Sequence, residues 1–405
     1  MTGQTNSLPK RHCMVVHAYY PLAETRVQRE AEALLAHGYE VDVICLCLSA
    51  DAPEERHRGV QVYHLPVKQA RGGKGFMKQL LNYFHFFILA AIKLTRLHLR
   101  RPYTSVQMHN LPDFLVFCAL ALKLSGVPVI LDLHDLMPEF YAARTGKGMG
   151  HWLTRLVAWQ ERLSCRFADH VITVTELWRR TLIERGVPAA KVSVVMNVAD
   201  EEIFRRGAVA PSPQSNGHFR LIYHGTQVQR YGIDLILRAV DRLRAQIPEL
   251  LLTVHGRGDY HAVLRQLADE LNLEGWVQFN TDYVPLLDLP KLICAADVAV
   301  VPYRRDIFTD GILPTKLMEY VALGVPVIAA RTPAIEAYFD ETMVEFFTPG
   351  NVDELAACIL RLYQDRARRA ALAQNGSEFS ELYSWTKQSA DYVALIERLT
   401  TPQSI

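Results

Sequence analysis

The sequence predicts an α/β protein of two domains, each a doubly wound parallel sheet wrapped by helices. Three observations predict it. The chain has 405 residues, more than a single hydrophobic core organises, so two domains are the natural division. Half of the residues are hydrophobic and 21% are charged, a balance that fills cores and argues against disorder. Short Val/Ile-rich runs also alternate with longer helix-like stretches twice over, with one break between the two series, as in parallel strands joined by helices.

The first series of strand-like runs is Cys13–His17, Val41–Cys47, Val60–Leu65, Val106–Met108, Val129–Leu133, Val171–Val174 and Val192–Met196. Gly207 to His218 interrupts it with Pro211, Ser212, Pro213, Ser215 and Gly217, the chemistry of a linker. The alternation restarts with Arg220–His224, Leu251–His255, Trp276–Phe279, Asp297–Val301, Val325–Ala329 and Val344–Phe347. From Trp385 to Leu399 apolar residues recur at helical spacing, which closes the chain as a helix returning to the first domain. The expected division is therefore 1–206, a linker over 207–218, 219–384, and the returning helix over 385–405. Parallel sheets bind ligands beyond the carboxyl ends of their strands, where loops and helix N-termini present unpaired N–H groups. Two such sheets facing each other are expected to frame a cleft, with a donor site on one side and an acceptor site on the other.

Composition excludes several classes. The formal charge is +1, with 44 basic and 43 acidic residues, so no global field gathers nucleic acid and any anion site is local. The seven cysteines lie mostly in apolar runs, and Cys45 and Cys47 have no second pair to complete a zinc set. No Asp-x-Asp follows a strand and the histidines lack ligand spacing, so neither metal nor cofactor is expected. The polar start and the lack of a run near ~20 apolar residues make cytoplasm the expected location.

One segment departs from the average. From Glu55 to Asp113 no acidic residue intervenes, while Arg56, Arg58, Lys68, Arg71, Lys74, Lys78, Lys93, Arg96, Arg100 and Arg101 are basic. On a helical projection Phe76, Leu80, Phe84, Phe87, Ile88, Ala91 and Leu94 share one face, and Lys78, Lys93, Arg96 and Arg100 the other. The apolar face is expected to pack on the sheet. Phe86 and Leu89 fall beside the basic stripe, where a solvated face is polar, and they make contact with an anionic membrane surface or a lipid-linked acceptor the second reading.

The stretch from Asp310 to Ala330 carries the most chemistry. Gly311 and Pro314 predict a turn, Thr315 an N-cap, Glu319 and Leu323 the body of a helix, Gly324 its end, and Val325–Ala329 the next strand. Free N–H groups at that helix start, with Lys316 beside them, suit a diphosphate. Glu319, one turn on, suits the paired hydroxyls of a ribose. A solvated helix with an incidental Lys and Glu has the same spacing.

This stretch closely resembles the donor-site signature of glycosyltransferase family 4, retaining nucleotide-sugar enzymes of the GT-B fold, in which a Pro-x-Lys-x-x-Glu-Tyr helix precedes Gly-x-Pro-Val-Ile. The resemblance extends over nearly the whole chain. Tyr20-Pro21, Arg26-Val27, Arg29-Glu30-Ala31 and Gly38 to Val41 resemble the family's opening strand, loop and helix. Asp132 to Glu139 resembles its Asp-x-His-Glu segment, Ala168 to Val174 and Asn197 its closing first-domain strands, and Gly256-Arg-Gly258 its second loop of the second domain.

The resemblance implies that Glu319 binds the donor ribose and that the amides of Thr315 and Lys316, after Leu313 and Pro314, meet the phosphates. Between His224 and Gly232 many relatives have an Arg after Gly225 and a Lys before Gly232. Thr226 and Tyr231 stand there, which leaves Arg230 as the cation that neutralises the leaving diphosphate, ahead of Lys316. Gly225, Thr226, Gly256 and Gly258 are implied donor loops, although Gly256-x-Gly258 equally suits a tight turn, and without a third glycine it excludes nicotinamide binding. His134 matches a histidine that in relatives reaches across the cleft to the transferred sugar; a satisfied helix-cap or core histidine is its other reading. The first of the family's two glutamates falls at Gly311, with Asp310 adjacent as a substitute pointing in another direction. The usual Gly-Gly turn is missing between Leu22 and Arg26.

A retaining route through a covalent intermediate needs a carboxylate nucleophile. Asp113, Asp135, Glu139 and Asp310 are the candidates, and no spacing singles one out. The resemblance implies same-face displacement instead. The expected function is retaining transfer of a sugar from a nucleotide-diphosphate donor to a glycan or lipid-linked acceptor, in glycan, exopolysaccharide or glycolipid assembly. The rivals are a nucleotide-sugar 2-epimerase on the same fold and a non-catalytic two-domain sugar-binding protein.

Overall fold

The computed structural model describes residues 10–22, 24–48, 52–68, 76–207 and 217–401. The chain forms two compact units, one of residues 1–196 with 386–405 and one of residues 197–385. In the first the elements are β1 (Arg11–Val16), α1 (Thr25–Ala36), β2 (Glu40–Leu46), β3 (Glu54–His57), β4 (Val60–Leu65), α2 (Phe76–Arg100), β5 (Ser105–His109), a 3-10 turn over Asp113–Ala119 leading into α3 (Leu120–Leu124), β6 (Val129–Leu133), α4 (Met137–Thr145), α5 (Trp152–Phe167), β7 (His170–Thr173), α6 (Glu176–Glu184) and β8 (Val192–Val194). Strand order is β3-β4-β2-β1-β5-β6-β7-β8, parallel except for β3, which runs antiparallel to β4 at the edge. Every residue of β1, β5 and β6 is buried, as expected of central parallel strands covered on both faces, the polar Arg11, His12, Ser105, Gln107, His109 and Asp132 included.

Handedness then places the helices. The step from β1 to β2 crosses the sheet one way, and the steps β4 to β5, β5 to β6 and β6 to β7 cross the other way. Right-handed crossovers therefore put α1 on one face and α2, α3 and α5 side by side on the opposite face.

The second unit contains β9 (Phe219–His224), α7 (Ile233–Leu243), β10 (Leu250–His255), α8 (His261–Glu270), β11 (Val277–Asn280), α9 (Leu289–Cys294), β12 (Val298–Val301), α10 (Thr315–Ala322), β13 (Val327–Ala330), α11 (Pro333–Glu336), β14 (Glu345–Phe347), α12 (Val352–Gln364) and α13 (Arg366–Leu382). Its order β11-β10-β9-β12-β13-β14 is all parallel. Direction reverses between β9 and β12, so a ligand-binding crevice is expected beyond the carboxyl ends of those two strands.

The division between the units falls at Met196 rather than in the Pro/Ser-rich stretch. Phe204 is buried and shares a small cavity with Val198, Met318, Ala322 and Phe379, which ties residues 197–207 to the second unit. Residues 208–216 of the expected linker lie outside the described residues. The last helix, α14 (Trp385–Thr400), groups with the first unit from Thr386 on. Its Tyr392 is fully buried and donates to Gln107 Oε1 on β5 at 2.7 Å.

The orientation expected for the basic helix is corrected. Phe86, Ala90 and Leu94 are fully buried and Leu97 nearly so, a stripe four, eight and eleven residues along one face that packs on the sheet. Phe84 and Ile88, assigned to that face from the projection, are 51% and 52% exposed. Leu89 is half-buried, and Lys93 pairs with Glu54 at 2.6 Å over the ring of Tyr63. Apolar residues surround most of this helix, so periodicity alone did not select the stripe that the sheet covers. Lys74 and Arg71 lie outside the described residues.

Candidate active site

The second unit gathers its chemistry at the switch point. After β9 the chain runs through Gly225, with φ of 109°, to a 3-10 turn over Gln229–Tyr231 and then Gly232, with φ of 68°. This loop is held by backbone. Gly225 N–H donates to His255 O and Gln227 N–H to Arg257 O, each at 2.9 Å. A Cβ on Gly256 would stand 2.1 Å from Gly225 O, and one on Gly258 would stand 2.0 Å from Gln227 O. The requirement for these two glycines is therefore met by the close approach of the first loop, which they position. Gln227, fully buried, completes the clamp by donating to Gly256 O at 2.8 Å and accepting from His261 Nδ1 at 2.7 Å.

Helix α10 enters the site beneath that loop. Its N-cap position is Pro314 and no side chain caps it. Thr315 is thus the first helical residue rather than the cap expected from sequence, because the turn through Leu313 and Pro314 ends one residue earlier. Lys316 lies almost fully buried under Gly225, whose added Cβ would be 3.1 Å from Nζ. Its ammonium donates to the hydroxyl of Tyr223 at 2.7 Å, and that hydroxyl donates to Thr226 O at 2.7 Å. The rings of Tyr223, Tyr231 and Tyr303 surround Nζ at 4.0, 5.1 and 5.6 Å, with Tyr231 and Tyr303 stacked at 4.4 Å. Burial lowers the Lys316 pKa to about 7, Glu319 opposing the shift.

Glu319 is held in place by strand β9. Its Oε2 lies 2.7 Å from His224 Nε2, and His224 Nδ1 lies 2.8 Å from the Tyr320 hydroxyl. An ionised Glu319 only accepts, so Nε2 carries the proton and Nδ1 accepts from Tyr320. The Tyr320 oxygen in turn accepts the His224 N–H at 3.0 Å. This leaves Glu319 Oε1 without a protein partner among the described residues.

Arg230 differs from the arginines around it. Arg304 makes a two-pronged pair with Asp234 at 2.7 and 2.6 Å, and Arg305 grips Asp310 at 3.0 and 2.7 Å. Arg230 lies over the ring of Phe308 at 5.4 Å, and its Nη1 is buried with no hydrogen-bond partner. A buried guanidinium nitrogen without an acceptor is costly unless a ligand supplies one. Asp310 is committed to Arg305 on the surface. Thr226 is exposed.

In the first unit the strand order reverses at β1, and the chain ends there build a second site. His17 and Ala18 after β1, Asn110 after β5, His134 and Asp135 after β6, Glu24 before α1 and Tyr83 of α2 line a pocket of about 290 Å3. His134 is held from behind. Its N–H donates to Asn110 Oδ1 at 2.9 Å, and its Nε2 lies 3.3 Å from Asp132 Oδ2. Asp132 is bridged by Arg26 at 2.9 and 3.0 Å, with Glu30 3.1 Å from the same guanidinium. Burial alone would raise the Asp132 pKa, but Arg26 and His134 hold it well below the usual carboxylate range. Burial likewise disfavours a charged His134, and Asp132 overrides it to raise the His134 pKa. Burial pushes Glu30 up to about 8 against the pull of Arg26.

His109, Asp132 and His134 bring ligand atoms within 4.8 Å of one another, a convergence the sequence spacing did not indicate. Asp132 Oδ2, the shared atom, already serves Arg26 and both histidines. Of the carboxylates weighed as nucleophiles, Asp113 is fully buried and accepts from Asn110 at 3.0 Å. Glu139 is buried against Arg185. Asp135 lines the pocket. Sequence reasoning missed Glu24, His17, Gln227, His224 and the three tyrosines around Lys316. For His17, His224 and Tyr303, at or just beyond the ends of β1, β9 and β12, that position was the available signal.

Residues 23–197 match the Glycosyl transferase 4-like domain family and residues 209–379 match the Glycosyl transferases group 1 family. Among curated proteins, the chain is 28% identical over 225 residues to the putative colanic acid biosynthesis glycosyl transferase WcaI of Escherichia coli strain K12, covering 52% of this chain and 53% of that one. It is 27% identical over 246 residues to the GDP-mannose-dependent α-(1-6)-phosphatidylinositol monomannoside mannosyltransferase of Mycolicibacterium smegmatis, covering 56% and 62%. The chain thus spans just over half the length of these relatives. Among solved structures, sucrose-phosphate synthase from Thermosynechococcus elongatus superposes with a TM-score of 0.77 at 19% identity, covering 96% of this chain and 99% of that one. Anabaena HepE in complex with UDP-glucose superposes with a TM-score of 0.69 at 18% identity, covering 96% and 99%.

Proposed function

This chain belongs to the GT-B glycosyltransferases of family 4, and from that membership we propose that it transfers a sugar, with retention, from a nucleotide diphosphate to an acceptor hydroxyl in polysaccharide or glycolipid assembly. The observation that carries the proposal is Arg230 Nη1, buried and unpartnered on the loop clamped over Lys316 and the uncapped start of α10. The loop and the helix start thus offer three sources of positive potential to a diphosphate. Glu319, oriented by His224 with one oxygen open, takes the ribose hydroxyls. The relatives named for GDP-mannose and for colanic acid and the neighbour in complex with UDP-glucose support a nucleotide-sugar donor and a glycan or lipid acceptor.

The chemistry is electrostatic and positional. The bond from the anomeric carbon to the phosphate oxygen breaks and its electron pair leaves with the diphosphate, whose charge Arg230 meets. The acceptor oxygen bonds to the same face of that carbon, and its proton passes to the departing phosphate oxygen. This route needs no carboxylate nucleophile, and Asp310, Asp113 and Glu139 are all engaged elsewhere. His134, whose charged form Asp132 favours against the effect of burial, is assigned a hydrogen bond to a sugar hydroxyl.

A thermal-shift screen of UDP-, GDP-, ADP- and dTDP-sugars identifies the donor, since a ligand bound only by the folded state raises stability. Donor and acceptor together should release nucleoside diphosphate and give a product with the donor's anomeric configuration. An inverted product would remove the same-face route, and conversion of donor alone into its 2-epimer would replace transfer by epimerisation.

A further inference from the structure

The carboxyl ends of β5 and β6 bring three metal-ligating atoms together inside the first unit. Parallel register sets His109 beside Asp132, and His134, two residues further along, stays on the same side of the sheet. His109 Nδ1 lies 3.1 Å from Asp132 Oδ2 and 3.2 Å from His134 Nε2, and the third side of the triangle, His134 Nε2 to Asp132 Oδ2, is 3.3 Å. A tetrahedral zinc ion with bonds of about 2.0–2.1 Å holds its ligand atoms about 3.3–3.4 Å apart, and two histidines with one carboxylate are among its ordinary ligand sets. The triangle therefore needs little adjustment to close on one ion.

Hydrogen bonds alone account for this triangle less well. If His109 Nδ1 carries a proton toward Asp132, its Nε2 is a bare acceptor, buried and without a hydrogen-bond partner. The group facing that nitrogen is the carboxyl of Glu30 at 4.0 Å, too far for even a protonated Glu30 to donate to it. If Nε2 carries the proton instead, the Nδ1 lone pair confronts the Asp132 oxygen. An ion in the triangle removes both conflicts: Nδ1 binds it, and Nε2–H points at Glu30, the outer carboxylate that a metal-bound histidine usually has. Arg26 keeps its pair with Asp132, because a carboxylate has lone pairs enough for both.

Charge favours the ion as well. Glu24 acts electrostatically on His134 and Asp132, and Glu30 and Asp132 both pair with Arg26. A divalent cation brings these three carboxylates and one guanidinium to neutrality. His109 and Asp132 are fully buried, whereas His134 lines the pocket of about 290 Å3, which provides an entry path and a water for a fourth position. Imidazole nitrogens select zinc and its transition-metal neighbours over calcium or magnesium, which prefer oxygen.

We propose that His109, Asp132 and His134 bind one divalent transition-metal ion, zinc by preference, which ties the ends of β5 and β6 together and fixes the His134 ring at the first unit's pocket. The ion takes the place of the proton between His134 and Asp132, so the metal-free and the loaded chain are two states of one site. The site does not depend on the sugar-transfer reading, because no donor group enters it.

The test titrates zinc into the full chain after treatment with a chelator. Calorimetry should give one saturable site with a micromolar or tighter Kd, and the melting temperature should rise by roughly 5–10 °C at about a hundred times that Kd. Cobalt in place of zinc should give the visible band of a four-coordinate site without the thiolate charge-transfer band that a cysteine ligand would add. His109→Gln and His134→Gln should each weaken binding by more than the roughly 10–100-fold that loss of an outer partner costs, while His37→Gln, at an exposed histidine on the far end of α1, should bind as the wild type does. Should His109→Gln fail to fold, His134→Gln at the pocket decides, with its metal-free melting temperature as the control. No saturable binding at sub-millimolar zinc, cobalt spectra with thiolate character, or unchanged affinity in His134→Gln would overturn the proposal. A nucleotide-induced shift that persists in both variants is expected, and its absence from the wild type would count against the donor site alone.

Discussion

At the scale of single residues, the arginines around the candidate donor site differ in their partners. Arg304 and Arg305 are each neutralised by an aspartate, and Arg230 is not. Arg230→Met should therefore leave the melting temperature unchanged or slightly raised while turnover falls by roughly 100-fold or more, the scale of losing one preorganised transition-state donor. Melting curves and steady-state kinetics on the same preparation check both halves. Lys316 adds a pH signature. Its pKa in the folded chain is about 7 against about 10.4 unfolded, so the unfolded state holds the extra proton between those values and stability rises with pH across that window. Nucleotide affinity runs the other way, since only the ammonium attracts phosphate: it should decline as pH climbs above about 7, with proton uptake on binding at pH ~8. Calorimetry in buffers of differing ionisation enthalpy reads this uptake, and Lys316→Met should abolish it. Lys316, Glu319 and Arg230 were legible because a helix start and a glycine loop announce themselves in linear order. The tyrosine cage and the His224 to Glu319 contact were not, because the latter joins residues 95 apart and only the pairing of strands makes them neighbours.

At the scale of elements, most strands were readable because parallel strands buried on both faces are rich in Val, Ile and Leu, even where a polar residue such as Gln107 or Asp132 interrupts them. Edge strand β3 was not, since Glu54, Glu55, Arg56 and His57 carry no apolar signal and pair only with β4. Helix α2 shows the opposite failure. It is apolar around most of its circumference, so its burial is decided by the sheet and not by its own pattern. Phe86→Ala should cost about 3–5 kcal/mol, as for other fully buried aromatic side chains, whereas Ile88→Ala should stay within about 0.5 kcal/mol. Denaturant melts of the two variants establish the helix's rotation, and equal losses would contradict it.

At the scale of the whole molecule, sequence places two sheets and a returning helix, while the boundary shifts because Val198 and Phe204 pack into the second unit ahead of the Pro/Ser-rich stretch. The returning helix α14 reaches the buried polar centre of the first unit, where Tyr392 bonds Gln107 and Gln107 bonds Glu30 at 2.8 Å. Tyr392→Phe should destabilise that unit by about 1–2 kcal/mol, the cost of leaving a buried amide oxygen unsatisfied, and hydrogen exchange should show the loss in β5 and α1 but not in β9. The same arrangement orders events during synthesis. The first unit's sheet emerges early from the ribosome, but its final helix follows only after about 190 further residues have been made, roughly ten to forty seconds at ordinary elongation rates. Until then the amide of Gln107 lacks its Tyr392 partner, and the amino-terminal fold stays unfinished while the second unit is being made.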